Sequence, residues 1–164
     1  MVATERVTVA RVEGVQALFT PEFTEFLVAL HDRFGARVHA LRARRAEVLN
    51  KALEQGVMPG HLPTSEINTG DWQVPPVPEE LLRPGIEITG PASITSMFIN
   101  ALNPGPGGPR AEGDLDDDED AGGHRFIDTV TAARNRLAAV DRTLEFTNEQ
   151  TGRHYSIQEG DIPF

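Results

Sequence analysis

At 164 residues the chain has room for one domain with its own core and little more. A net charge of −10 argues against nucleic-acid binding, which needs a basic surface to neutralise phosphate, and no apolar run reaches the roughly 18 residues of a membrane span. The absence of cysteine removes disulfides, thiolate catalysis and Cys-bound zinc and agrees with a cytoplasmic setting, as does a start, Met1 to Arg6, without the pattern of a secretory signal.

Val7, Val9, Val12, Val15, Leu18 and Phe19 suggest an extended arm with a short strand. Thr20 suits a helix N-cap, Pro21 its first turn and Glu22 its positive end. Phe23, Phe26, Leu27, Leu30 and Phe34 recur every three or four residues, so they share one helical face. Gly35 is expected to break this helix. A second helix then carries Val38, Leu41, Val48 and Leu53 as candidate buried positions, ends at Gly56 and cannot resume past Pro59. The two helices should pair antiparallel and leave one apolar face to be covered. Arg33, Arg37, Arg42, Arg44, Arg45 and Lys51 make residues 33–51 basic. Such a stretch reads as a solvated face, with an anion or acidic-partner site as the alternative.

Residues 59–85 form a connector rich in proline and glycine, with Pro75-Pro76-Val77-Pro78 extended and stiff. Trp72, the single tryptophan, is expected to anchor it by packing. Ile86-Glu87-Ile88-Thr89 reads as a strand stopped by Gly90-Pro91, followed by a helix capped by Ser93 and running through Met97, Phe98 and Leu102. Residues 104–123 open with three prolines and three glycines between Pro104 and Pro109, carry the run Glu112 to Asp120, close on Gly122-Gly123, and are expected to form an acidic loop that repels itself. A helix from about Arg125 to Val140 follows. Two alternating segments, Thr143 to Thr147 and Arg153 to Ile157, then make a hairpin around Asn148 to Gly152.

No motif in this pattern carries chemistry by itself. Asp114, Asp116 and Asp118 imitate the opening of a calcium loop, but its sixth position is Glu119 and its twelfth Arg125, where glycine and glutamate are required. Pro104, Pro106 and Pro109 fill the gaps around Gly105, Gly107 and Gly108, and no lysine follows, so they form no phosphate cradle. The histidines His31, His39, His61, His124 and His154 include no pair at metal-binding helical spacing, and no serine sits in a nucleophile elbow.

Ile86-Glu87-Ile88-Thr89-Gly90-Pro91 with Met97-Phe98-Ile99-Asn100-Ala101-Leu102-Asn103 closely resembles the "EITGP…MVINALN" segment that opens the barrel of malate synthases of the A type. Phe19-Thr20-Pro21-Glu22 and Leu30-His31-Asp32-Arg33-Phe34 resemble that family's first helix. Leu62-Pro63-Thr64 and Gly70 to Pro78 resemble its connector, and Phe126 to Val140 with Leu144 to Glu149 its next helix and hairpin. The motifs keep one order from about Phe19 to Ile157.

The resemblance implies an α/β fold, or α+β if the barrel part has degenerated: an arm and helical clasp over residues 1–58, the connector 59–85, and an incomplete (β/α) barrel portion with terminal hairpin over 86–164. It implies a part in condensing acetyl-CoA with glyoxylate in the glyoxylate cycle. In the family Mg²⁺ polarises the aldehyde, an aspartate removes the acetyl proton and an arginine stabilises the enolate. That arginine lies in a segment like "LIVRPRGWH", and here Ile162-Pro163-Phe164 comes first. No catalytic or cofactor-binding residue is therefore expected in this chain, and none of its own cofactors. Where the family has an Asp-Phe-Glu-Asp segment near the metal, Asp114, Asp116 and Asp117 are the acids in position to match. Ser93-Ile94-Thr95 also replaces a charged stretch. A truncated chain of this kind is expected to be an inactive, pseudoenzyme-like piece that works with a complementing malate synthase chain or as a homo-oligomer. The alternative is a noncatalytic remnant or interaction module built on the clasp.

Overall fold

The computed structural model describes residues 6–82 and 85–163, apart from the side chain of Glu80. The first residues of the arm, Pro84 of the connector and Phe164 lie outside them. The fold is a mixture of helices and small sheets, as an α/β chain requires. It divides into two compact units, one of residues 6–7 and 21–76 and one of residues 8–20 and 77–163.

The first unit is dominated by a single helix. After the short helix α1, Val15–Leu18, which belongs to the second unit, α2 runs without interruption over Pro21–Gln55. At 1.5 Å per residue it is about 52 Å long. The expected pair of helices broken at Gly35 is therefore one helix. A glycine inside a helix costs only about 1 kcal/mol, and the alanine-, leucine- and arginine-rich flanks outweigh that. Gly35 also lacks a following proline to enforce a stop. The break comes at Gly56, which takes φ +69°, while the Val57 N–H reaches back 3.2 Å to the Lys51 carbonyl. This is the glycine-terminated helix end that the sequence predicts.

Along α2, Phe23, Phe26, Leu30, Phe34, Val38, Leu41, Leu49 and Leu53 all remain exposed. Arg6 fixes the arm to the helix with two hydrogen bonds to Asp32, of 2.9 and 2.6 Å, and these hold the Asp32 carboxyl below its usual range. Glu47 lies between Lys51 and Arg44, whose hydrogen bonds pull its pKa down to about 2. The connector holds one turn of helix, α3, Glu66–Thr69, capped by Ser65. Trp72 is not the packing anchor expected. It is 63% exposed, and its indole N–H donates to the Ile67 carbonyl at 2.6 Å.

The second unit is built on a strand–helix–strand–helix order. A 3₁₀ turn, Glu79–Leu82, precedes β1, Glu87–Gly90. Next come α4, Thr95–Leu102, β2, Gly113–Asp116, and α5, Phe126–Val140. β1 and β2 pair in parallel from Glu87 opposite Gly113 to Gly90 opposite Asp116. The expected acidic loop 104–123 thus contains a strand. Its polar residues are tolerated because β2 is only part-buried, and Leu115 between them is 67% exposed on the other face. Ser93 does not cap α4 either; Ile94 holds the cap position, and no side chain bonds to the helix end there.

β3, Glu145–Thr147, and β4, His154–Ser156, form the predicted antiparallel hairpin. The Asn103 side chain ties the hairpin to the end of α4, donating to the Ser156 carbonyl and accepting from the Gln158 N–H, both at 2.8 Å. Arg110 adds hydrogen bonds to the carbonyls of Leu102 and Gln158. Ala92, Phe98, Ile99, Leu102, Ala132, Ala139 and Leu144 form the core beneath. Phe19 closes one end edge-on against Phe126, with ring centres 5.5 Å apart.

Candidate functional site

The acids singled out by the sequence, Asp114, Asp116 and Asp117, lie together on β2 and the residue after it. Strand alternation sends Asp114 and Asp116 to one face, toward α4 and α5, and Leu115 to the other. Each carboxylate then finds a different environment.

Asp114 looks into a small cavity of about 70 Å³ lined by Ile88, Pro91, Met97, Phe98 and Ala101. Its Oδ1 is buried without a hydrogen-bond partner. Burial, reinforced by the charge of Asp116, raises its pKa above the ordinary 3.8. Asp116 is fully engaged. Its Oδ1 accepts the Ala92 N–H at 2.9 Å, and its Oδ2 accepts the Arg136 Nε–H. Arg136 reaches on to Asp118 at 2.7 Å. Asp117 turns away to cap the following loop, its Oδ1 accepting the N–H groups of Glu119 and Asp120 at 3.1 and 2.8 Å.

Next to this cluster the Asn135 amide, 8% exposed, donates to the Ala92 carbonyl at 2.7 Å and to Thr95 Oγ1 at 3.0 Å. Ala92 is thus gripped from both sides, its N–H by β2 and its carbonyl by α5. This junction fixes the β1–α4 turn. Sequence reasoning missed Asn135 and Arg136. The available signal was an asparagine in phase with Val130, Ala132 and Ala139 on the buried face of α5, where an amide is expected only with partners.

A divalent cation needs several oxygens converging on one point. Here one acid is bound to an arginine, one to backbone amides and one faces an apolar cavity. Among the described residues no group of three or more His, Asp or Glu is placed to hold a metal. The donor set does not fit Mg²⁺. No described helix is long and apolar enough to cross a membrane.

The Asp114 environment has a pH signature. Its folded pKa lies above its unfolded one, so the folded state keeps the proton to higher pH. The penalty for charging it is absent below about pH 3.8 and grows as pH rises through the folded value. Asp114→Asn is expected to stabilise the second unit at pH 7, with the advantage over the parent shrinking toward zero on acidification. Urea unfolding across that pH range measures it, and a constant difference at every pH would refute the assignment.

No protein-family model matches the chain. It is 39% identical over 141 residues to the malate synthase of Myxococcus xanthus, a match covering 85% of this chain and 25% of that protein. The malate synthase of Streptomyces clavuligerus is 31% identical over 93% of the chain and 27% of its own length. Malate synthase A of Escherichia coli is 29% identical over 89% of the chain and 26% of its own length. The chain therefore spans about a quarter of the length of the relatives it matches.

Proposed function

Because the chain corresponds in sequence to a fragment of malate synthase, we propose that it supplies the amino-terminal clasp and first barrel units of such an enzyme and takes no direct part in bond making. The observation that carries this reading is the alignment over nearly the whole chain, with β1, α4, β2 and α5 following each other in the order of a (β/α) barrel unit. A closed barrel needs about 250 residues, so these units contribute a sector of wall. Among the described residues β1 and β2 form a two-stranded parallel sheet, and its outer edges are where further parallel strands would add. The reaction of the assembled enzyme would be condensation of acetyl-CoA with glyoxylate to malate and CoA in the cytoplasm.

Mg²⁺ would be held by the rest of the enzyme, in the same polypeptide or a partner, because the acids of this chain are committed elsewhere. What the present residues do is positional. Asp116, Asn135 and Arg136 lock the β1–α4 turn, Asn103 and Arg110 anchor the hairpin, and α2 acts as the clasp. A second reading, a noncatalytic interaction module, is favoured by the exposed apolar side chains of α2.

Mixing separates them. The purified chain and the remaining three quarters of the Myxococcus enzyme should each be silent. Together they should form a stable complex that releases CoA from acetyl-CoA when glyoxylate and Mg²⁺ are present. An interaction module gives no CoA under any combination.

A further inference from the structure

The loop that leaves α4 through Pro104, Gly105, Pro106, Gly107 and Gly108 faces the β3–β4 hairpin across a cleft of about 740 Å³. A volume of that order suits a small ligand. The chain carries 25 acidic residues against 15 lysines and arginines, yet no acid lines this cleft among the described residues, and Arg153 is the one charged group there. Its guanidinium lies 4.7 Å over the Tyr155 ring and pairs with no acid among the described residues.

Donors without partners gather around this cation. The N–H groups of Gly105 and Gly107 make no hydrogen bond among the described residues, while the Gly108 N–H closes the turn on the Gly105 carbonyl at 3.1 Å. The side-chain amides of Asn100 and Gln158 are free in the same sense, although the backbone of Gln158 is held by Asn103 and Arg110. Arg110 also donates to the Leu102 carbonyl at 3.0 Å, which offsets the negative end of α4 that would otherwise repel an anion. Packing within the chain requires glycine only at Gly107, where φ is +68°. A Cβ built at Gly105 or Gly108 meets nothing within 4 Å, and bare backbone of this kind lets a ligand approach peptide N–H groups closely.

We propose that this cleft binds a phosphate monoester. The Arg153 guanidinium, the N–H groups of Gly105 and Gly107 and the amides of Asn100 and Gln158 would hold the dianion. Three phosphate oxygens can accept from that many donors, where a carboxylate offers only two. The remaining volume takes the organic part of the ester. No lysine follows the glycines in sequence, and the cation comes instead from the hairpin. In a strand–helix–strand unit the connection after the helix lies at the N-terminal ends of the strands, opposite the face where barrel enzymes do their chemistry. The site is therefore separate from any part in malate synthesis and does not depend on it.

The test is titration of the isotope-labelled full chain with glycerol 3-phosphate, inorganic phosphate and succinate at equal ionic strength, followed by amide NMR. Glycerol 3-phosphate is expected to shift the Gly105 and Gly107 signals saturably, and to bind more tightly than free phosphate or succinate. Binding should fade as the pH falls below about 6, where the ester takes up a proton. Arg153→Gln is expected to weaken it about tenfold or more, the worth of a charge-assisted hydrogen bond, with an unchanged melting temperature. Arg37→Gln on α2 should leave it as it was. Shifts that never saturate, that follow arginines over the whole surface, or that survive Arg153→Gln would overturn the proposal. Equal or tighter binding of free phosphate or succinate would overturn the monoester assignment.

Discussion

Ile99→Ala is expected to destabilise the second unit by about 3 kcal/mol, which for a unit of this size lowers its melting temperature by on the order of 15 °C. Ile99 is fully buried at the centre of the cluster formed by Ala92, Phe98, Leu102, Ala132 and Leu144. Its neighbours come from α4, α5 and the segment leading into β3, so no single element can slide in to fill the hole. The side chain lost is entirely aliphatic, and the cost is lost transfer energy plus an unrelaxed cavity. Thermal unfolding followed by circular dichroism checks it. Because stabilities of this kind total only 5–15 kcal/mol, the loss is a large share of the whole. A shift under about 3 °C would mean that the cluster is not the core of this unit.

Asn135→Leu is expected to cost about 2–3 kcal/mol although leucine matches asparagine closely in size. The amide donates to the carbonyl of Ala92 and to Thr95 Oγ1, and Ala92 is completely buried. Without the donor that carbonyl is left in the interior with no partner and no water, which costs the desolvation of the group and not merely one net hydrogen bond. Urea unfolding reads the change as a lower midpoint at constant slope. An unchanged or higher midpoint would show that apolar packing at this position outweighs the hydrogen bonds, and that the grip on the β1–α4 turn is not a source of stability.

What the sequence made legible follows from how local each signal is. The hairpin at Asn148 to Gly152 and the helix α5 were readable because turn chemistry and a 15-residue apolar periodicity act within a few residues. The end of α2 at Gly56 was readable for the same reason. Its continuity through Gly35 was not, since a glycine weighs little against the long helical flanks Pro21 to Phe34 and Ala36 to Gln55, and only the summed propensity decides. β2 escaped because the residues Gly113 to Asp116 have no strand propensity of their own. They are strand because β1 offers them a backbone ladder, reinforced by Thr89 Oγ1 donating to the Leu115 carbonyl. Trp72 was misjudged because burial of an aromatic side chain depends on what the rest of the chain provides to cover it.

The acids tell the same story at the level of chemistry. Asp114, Asp116 and Asp117 were legible as a cluster, but their separate commitments depend on Arg136, on the Ala92 N–H and on the side-chain alternation of β2. Arg136 lies 20 residues further along the chain. A contact at that distance cannot be read from spacing, and it turns a possible metal-ligand set into a structural latch.

The most direct test of the central claim is a chimera. The matching quarter of the Myxococcus xanthus malate synthase is replaced by residues of this chain, and CoA release from acetyl-CoA with glyoxylate is followed beside a version lacking that quarter. The chimera is expected to release CoA, and the shortened version and the 164-residue chain alone are expected to release none. A folded chimera that releases no CoA would contradict it, and so would turnover by the isolated chain.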